Sequence, residues 1–154
     1  MRHFYYRYFK FTLLVSILLI TSCKNKQLEV GNSAFFKLNE YGGQDLVADS
    51  TYTYPETVIL YIINIKGFKQ DEKGLIYPNM DIEVQDINGQ NYFVKDAYYK
   101  NDQGIELTDG LLPFMYGVWQ PLPTTPKGIY KFKVRIYDTK SKKEHLIEKA
   151  FIIR

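Results

Sequence analysis

Apolar and polar residues alternate with a period of two along most of the chain. Tyr130, Phe132, Val134 and Ile136 interleave with Lys131, Lys133, Arg135 and Tyr137, the pattern of a strand with one buried face. Met80, Ile82 and Val84 interleave with Asp81, Glu83 and Gln85 in the same way, and Ile147, Phe151 and Ile153 share one face of a closing strand that carries Glu148 on the other. The run from Val58 to Ile65 is apolar on both faces. It predicts a central strand buried on both sides, and its isoleucine, valine and tyrosine content favours strand over helix. Asp86-Ile87-Asn88-Gly89 predicts a tight hairpin, because asparagine and glycine both tolerate positive φ. Asp138 to Lys143 predicts a second hairpin, between the last two strands. Pro121, Pro123 and Pro126 cannot donate to a ladder, so that stretch reads as loop or edge. No segment shows a long 3.6-residue period with caps, and at most a short helix fits near Leu111 to Tyr116. About seven to nine short strands in roughly 120 residues point to an all-β chain folded as an antiparallel sandwich.

The first 22 residues break this pattern. Arg2, Arg7 and Lys10 lie in a stretch without acids, Phe11 to Ile20 is almost wholly apolar, and the small residues Thr21 and Ser22 precede Cys23. A basic start, a short apolar run and a small-residue cleavage site describe a secretory signal. The apolar run is about half the ~20 residues that a spanning helix needs. Ile20-Thr21-Ser22-Cys23 resembles the lipobox of bacterial lipoproteins. That resemblance implies cleavage between Ser22 and Cys23, a diacylglyceryl group on the Cys23 thiol and acylation of the new amino group. Two or three acyl chains give stable membrane attachment where one does not. Cys23 is the chain's single cysteine, so no internal disulfide can form. Residues 1–22 then form the signal peptide and 23–33 the lipidated cysteine with a flexible tether. Ten extended residues of such a tether reach about 33 Å. Residues 34–154 form the sandwich.

The closing segment carries a second resemblance. Pro126-Lys127-Gly128-Ile129-Tyr130, an alternating strand ending Tyr137-Asp138, and a last strand ending Phe151-Ile152-Ile153 look like the terminal hairpin of bacterial immunoglobulin-like domains. This implies an immunoglobulin-like layout and little about function, since sandwiches host many roles. The cysteine pair and core tryptophan of antibody domains are missing, and Trp119 comes too late in the chain to replace the latter.

Charge and chemistry narrow the function. The chain has 20 basic and 17 acidic residues; removing the three basic residues of the leader leaves 17 of each. A neutral mature chain offers no net basic field to attract nucleic acid or anionic lipid. One histidine, His145, remains in it, too few nitrogen and sulfur ligands for a usual zinc site, and it reads as an exposed turn residue beside Glu144. Asp81, Asp86 and Asn88 are candidates for a calcium site at one end of the sandwich, but Asp86-Ile87-Asn88-Gly89 lacks the further ligands of an EF-hand loop. A turn aspartate bonding its own backbone explains Asp86 more simply. There is no Gly-x-Ser-x-Gly, and Gly42-Gly43 has no phosphate-loop companions. Acids such as Asp81 and Glu83 fall on polar strand faces, where solvated charge is their expected role.

Binding is left. Aromatic residues make up 16% of the chain, 14 of them tyrosines. Tyr52, Tyr54, Tyr98, Tyr99, Tyr116 and Trp119 fall outside the clear inward positions, and exposed rings offer large contact area at low entropy cost. Within Pro113 to Pro123, Phe114, Tyr116 and Trp119 are the candidate binding residues. The expectation is a lipid-anchored, non-enzymatic module without a cofactor that binds or scaffolds another component of the envelope, a protein or a glycan. A carbohydrate-binding module using the same rings is the alternative, and a hydrolase the third reading. The make-up also resembles small lipoproteins of Bacteroidota-type bacteria, which implies an outer-membrane address. Lys24-Asn25-Lys26-Gln27 lacks the acids that mark surface export there, which favours the periplasmic face.

Overall fold

A computed structural model describes residues 27–99, 102–107 and 111–154. Cys23, Ser22 and the leader lie outside the described residues. In chain order the strands are β1 (Glu29–Leu38), β2 (Gln44–Leu46), β3 (Thr51–Tyr52), β4 (Val58–Lys66), β5 (Leu75–Ile76), β6 (Pro78–Asp86), β7 (Asn91–Lys95), β8 (Ile105–Glu106), β9 (Leu112–Trp119), β10 (Gly128–Asp138) and β11 (Glu144–Ile153). One sheet runs β2-β1-β4-β9, the other β3-β11-β10-β6-β7, and β5-β8 form a small ribbon. All pairings are antiparallel except β11 with β3.

Alternation decides which side chains meet between the sheets. The four-stranded sheet sends in Phe35, Val58, Leu60, Ile62, Ile65, Met115 and Trp119; the five-stranded sheet answers with Met80, Ile82, Val84, Tyr130, Phe132, Val134, Ile136, Phe151 and Ile153, all buried. Phe35 meets Phe132 and Trp119 meets Tyr130 across the interface, at ring-centroid distances of 6.4 and 5.8 Å. This is an antiparallel β-sandwich. The Tyr130 hydroxyl donates to the Pro126 carbonyl at 2.6 Å, the corner bond of immunoglobulin-like sandwiches. Burial, and then the neighbouring Tyr92, push the Tyr130 phenol up to about 12. Tyr130→Phe is expected to lower stability by about 1 kcal/mol, read as a lower urea midpoint at unchanged slope.

Several expectations need correction. Residues 29–33, expected in the tether, are the first half of β1, because their backbone pairs with β4 from Glu29↔Lys66 to Ser33↔Ile62. Leu28 is already buried. Leu112–Trp119 is strand β9, not helix, since it pairs along β4 from Ile65↔Leu112 to Val58↔Trp119. Trp119 is a core residue, 5.8 Å from both Tyr130 and Phe151. The β6–β7 hairpin places only Gly89 in the left-handed region, at φ 85°. Asp86 closes it through its backbone to Gln90 and through its carboxylate to the Asn88 and Gln90 N–H groups, a longer turn than a two-residue one.

The β11 edge is open over most of its length, since β3 pairs with it only at Ile152 and Ile153. The inward-pointing Lys149, whose ammonium donates to the Ser33 carbonyl, is a charge of the kind that discourages edge-to-edge addition. His145 lies on the same strand, half-buried, with Nδ1 2.9 Å from the Leu28 carbonyl. It is not the exposed turn residue its sequence position suggested.

Candidate interaction surface

The apolar run of β4 covers two faces, but only one lies in the core. Val58, Leu60 and Ile62 point inward, so Ile59, Tyr61 and Ile63 point outward; Asn64, at φ 56°, takes up one residue and returns Ile65 to the core. The expected burial on both sides holds at Ile59, which is buried, and is corrected towards Ile63, which is exposed: the second face of β4 is the outer face of the sandwich.

Register turns this face into rows. Phe36, Ile59 and Val118 lie side by side across β1, β4 and β9; so do Ala34, Tyr61 and Tyr116; so do Asn32, Ile63 and Phe114. None of these nine residues is charged. Leu46, opposite Phe36, and Leu38 extend the face and are exposed. Tyr61 is the hub: its ring centroid lies 5.1 Å from Phe36, 5.3 Å from Tyr116 and 6.0 Å from Phe114. The Tyr61–Tyr116 and Phe114–Tyr116 ring planes are within 28° and 25° of parallel.

Two more rings come from the segment after β7. The Tyr98 hydroxyl takes a hydrogen bond from the Val118 backbone N–H, on β9, the last strand of this sheet. The Tyr99 phenol is raised by burial first, then by the Tyr116, Tyr98 and Tyr61 hydroxyls near it. These rings close off that side of the face.

The small side chain of Ala34, between Asn32 and Phe36, leaves a shallow notch of about 120 Å³ lined also by Ser33, Tyr61 and Ile63. Small-molecule pockets run to roughly 300–1,000 Å³, so this notch suits a single side chain of a partner rather than a whole ligand.

The other sheet shows what an ordinary solvent face looks like. Its outward positions pair Asp81 with Arg135, Glu83 with Lys133 and Gln85 with Lys131 across β6 and β10. Arg135 bonds Asp81 at 2.6 Å, and Lys131 reaches Glu148 at 2.7 Å. Asp81 and Glu83 line a depression of about 540 Å³ there. Asp81 is held by Arg135, Tyr137 and the Ala97 N–H, and Glu83 accepts from Gln85. These acids are occupied by their neighbours, and the Asp81 side chain is largely covered by them.

Of the residues singled out from sequence, Phe114 and Tyr116 lie on the outer aromatic face and Trp119 does not; it is buried and cannot meet a ligand. Cys23 and Ser22 lie outside the described residues. Tyr52 is likewise core, with no exposed surface. Asp81 is not brought to Asp86 and Asn88: it sits mid-strand in the Arg135 pair, while the other two close the β6–β7 turn. Sequence reasoning missed Phe36, Tyr61 and Ile63. The available signal was the doubled apolar run of β4, whose outward members had to be covered by something or exposed. No family model matches this chain, and a search of curated proteins finds no match.

Proposed function

We propose that this chain is a lipid-anchored module of the bacterial cell envelope. It catalyses no reaction, and it docks another envelope protein on the outer face of its four-stranded sheet. The observation that carries the reading is the contrast between the two outer faces. One is laced with paired charges around the exposed Leu146 and Val94, while the other carries nine uncharged residues in three rows around Tyr61, with Phe114 and Ile63 exposed and Ile59 covered. Contiguous exposed apolar surface marks interaction sites, and rigid aromatic rings are the side chains that anchor them. The lipobox residues ending at Cys23 support the anchor and an outer-membrane address on the periplasmic side. The neutral mature chain speaks against nucleic acid, and the occupied acids of the opposite face speak against a hydrolase.

The rings of Tyr61 and Phe114, each stacked on Tyr116 though tilted by 47° to one another, favour one second reading, a glycan stacked on them. Loss of Trp119 to the core weakens it. Retention on an array of envelope glycans, abolished by Tyr116→Ser, would establish this second reading in place of the first.

Two experiments test the proposal. Metabolic labelling with a fatty acid is expected to mark the native chain and to leave Cys23→Ala unlabelled; equal labelling of both removes the anchor. A photoreactive residue at position 114 is expected to capture a discrete protein from intact membranes. The same residue at position 94, exposed on the other sheet, is expected to capture none. Equal capture at both positions removes the docking face.

A further inference from the structure

We propose that the end of the sandwich nearest Cys23 is a second contact surface, on which Lys69, Lys73, Lys140, Lys142 and Lys143 meet the phosphates of anionic lipid headgroups. This rests on the lipid anchor proposed above, and it names what that anchor brings the domain against.

Geometry supplies the first ground. The described fold begins abruptly: Leu28 is buried and its carbonyl is held by His145. Residues 24–27 alone separate it from Cys23, and five extended steps span about 17 Å. The domain therefore cannot stand clear of the membrane surface, and the loops beside Leu28 must face it. Those loops are 67–74, between β4 and β5, and 139–143, in the β10–β11 hairpin. A side-chain carbon on Gly67 would lie 3.3 Å from the Gln27 carbonyl oxygen. Lys143 donates its ammonium to the Gly67 carbonyl at 2.8 Å. Asp138 clamps the two loops by accepting from the Lys69 and Lys140 N–H groups, at 2.8 and 2.9 Å.

Charge supplies the second. The loop 139–143 holds Lys140, Lys142 and Lys143 and no acid. Lys69, Lys73 and Lys140 rim an open depression of about 550 Å³ with Asp71, Glu72 and Tyr77. Asp71 is turned into its own loop, where its carboxylate accepts from the Tyr77 hydroxyl and from the Lys73 and Leu75 N–H groups. Lys140 sits over the Tyr77 ring at 4.5 Å, which holds its ammonium at the rim. Among the described residues none of the five lysines is in an ion pair. Glu29 faces Lys66 across the β1–β4 register, and Glu144 approaches Arg135. Among the described residues, Glu72 and, on the β8 segment, Asp102 and Glu106 join Asp71 and Asp138 as the acids that face the five lysines. Lys24 and Lys26 add two cations to the connection itself. The acid-free hairpin loop 139–143 is the part of this end that the anchor brings to the phosphates, and the aromatic face then stands along the side of the domain, free for a partner.

The test uses the membrane-processed, lipidated chain in nanodiscs of phosphatidylcholine with rising phosphatidylglycerol, followed by amide NMR. Shifts are expected at residues 69, 73, 140, 142 and 143. K69E/K73E/K140E is expected to weaken the phosphatidylglycerol response by about 100-fold, roughly fivefold for each lysine lost. K69Q/K73Q/K140Q, which removes the three charges without adding acids, is expected to lose about as much as that per-lysine figure gives, and the glutamate variant at least as much. Absence of shifts at these residues, shifts confined to the aromatic face, or the same shifts from inorganic phosphate in phosphatidylcholine discs would each overturn the inference while leaving the anchor standing. Mass spectrometry of the same sample separates the other failure: a Cys23 without lipid overturns both.

Discussion

Phe151→Ala is expected to destabilise the domain by about 4 kcal/mol, the upper range for truncating a buried aromatic ring. Phe151 stands where the aromatic core is densest, with ring centroids of Phe35, Tyr52, Tyr130 and Trp119 all within 5.6 to 5.9 Å. Those neighbours come from β1, β3, β9 and β10, so the cavity would be walled by both sheets and could not collapse without moving one against the other. A typical domain is stable by roughly 5–15 kcal/mol, so the variant loses a large share of its margin. Urea unfolding measures it as a drop in midpoint. Phe114→Ala, in a half-exposed ring on the outer face, is expected to cost less than about 1 kcal/mol. The two phenylalanines thus separate stability from binding.

Asp138→Ala is expected to cost about 3 kcal/mol. Asp138 is the one fully buried charged residue among those described. Burial alone would raise its carboxyl. The Ser141 hydroxyl and the N–H groups of Lys69, Lys140 and Ser141 outweigh burial and hold it below the ordinary carboxylate value. Removing the carboxylate leaves those donors facing an empty space and unties two loops. The sign of the pH dependence follows. Because the folded-state carboxyl is depressed, its stabilising contribution is full above the unfolded-state value, near 4. It declines as the pH falls below that, and is gone once the folded form protonates. In urea titrations across the acid range, the native chain should lose stability that Asp138→Ala does not have to lose. Parallel acid profiles for the two would contradict the role given to Asp138.

The strands that could be read in advance were those whose own residues carry both faces. β6 and β10 alternate apolar with charged side chains because one face is core and the other water, and both lie where the alternation put them. The first half of β1 was not legible: Glu29, Gly31, Asn32 and Ser33 have no apolar face, and their strand conformation comes from pairing with β4. The same holds for the two- and three-residue strands β2, β3, β5 and β8, which depend on their partners. Trp119 was misread because its inward neighbour is Gly117, which carries no hydropathy signal to continue the alternation from Met115. Gly117 is there because a side-chain carbon would come within 2.8 Å of Ile82 and 3.0 Å of Phe132, so the core itself erased the pattern. Half of the binding face was legible in Phe114 and Tyr116. The other half, Phe36, Tyr61 and Ile63, needed the register of three strands to be seen as one surface.

The central claim is that the outer aromatic face of the four-stranded sheet holds a protein partner in the envelope. Its most direct test is affinity capture from crosslinked intact membranes, comparing the native chain with Tyr61→Ser/Tyr116→Ser and with Lys133→Ser on the charged face. Circular dichroism would confirm that each variant is folded. A partner recovered with the native chain and with Lys133→Ser, and lost with Tyr61→Ser/Tyr116→Ser, is the predicted result. A partner retained by a folded Tyr61→Ser/Tyr116→Ser chain would contradict it.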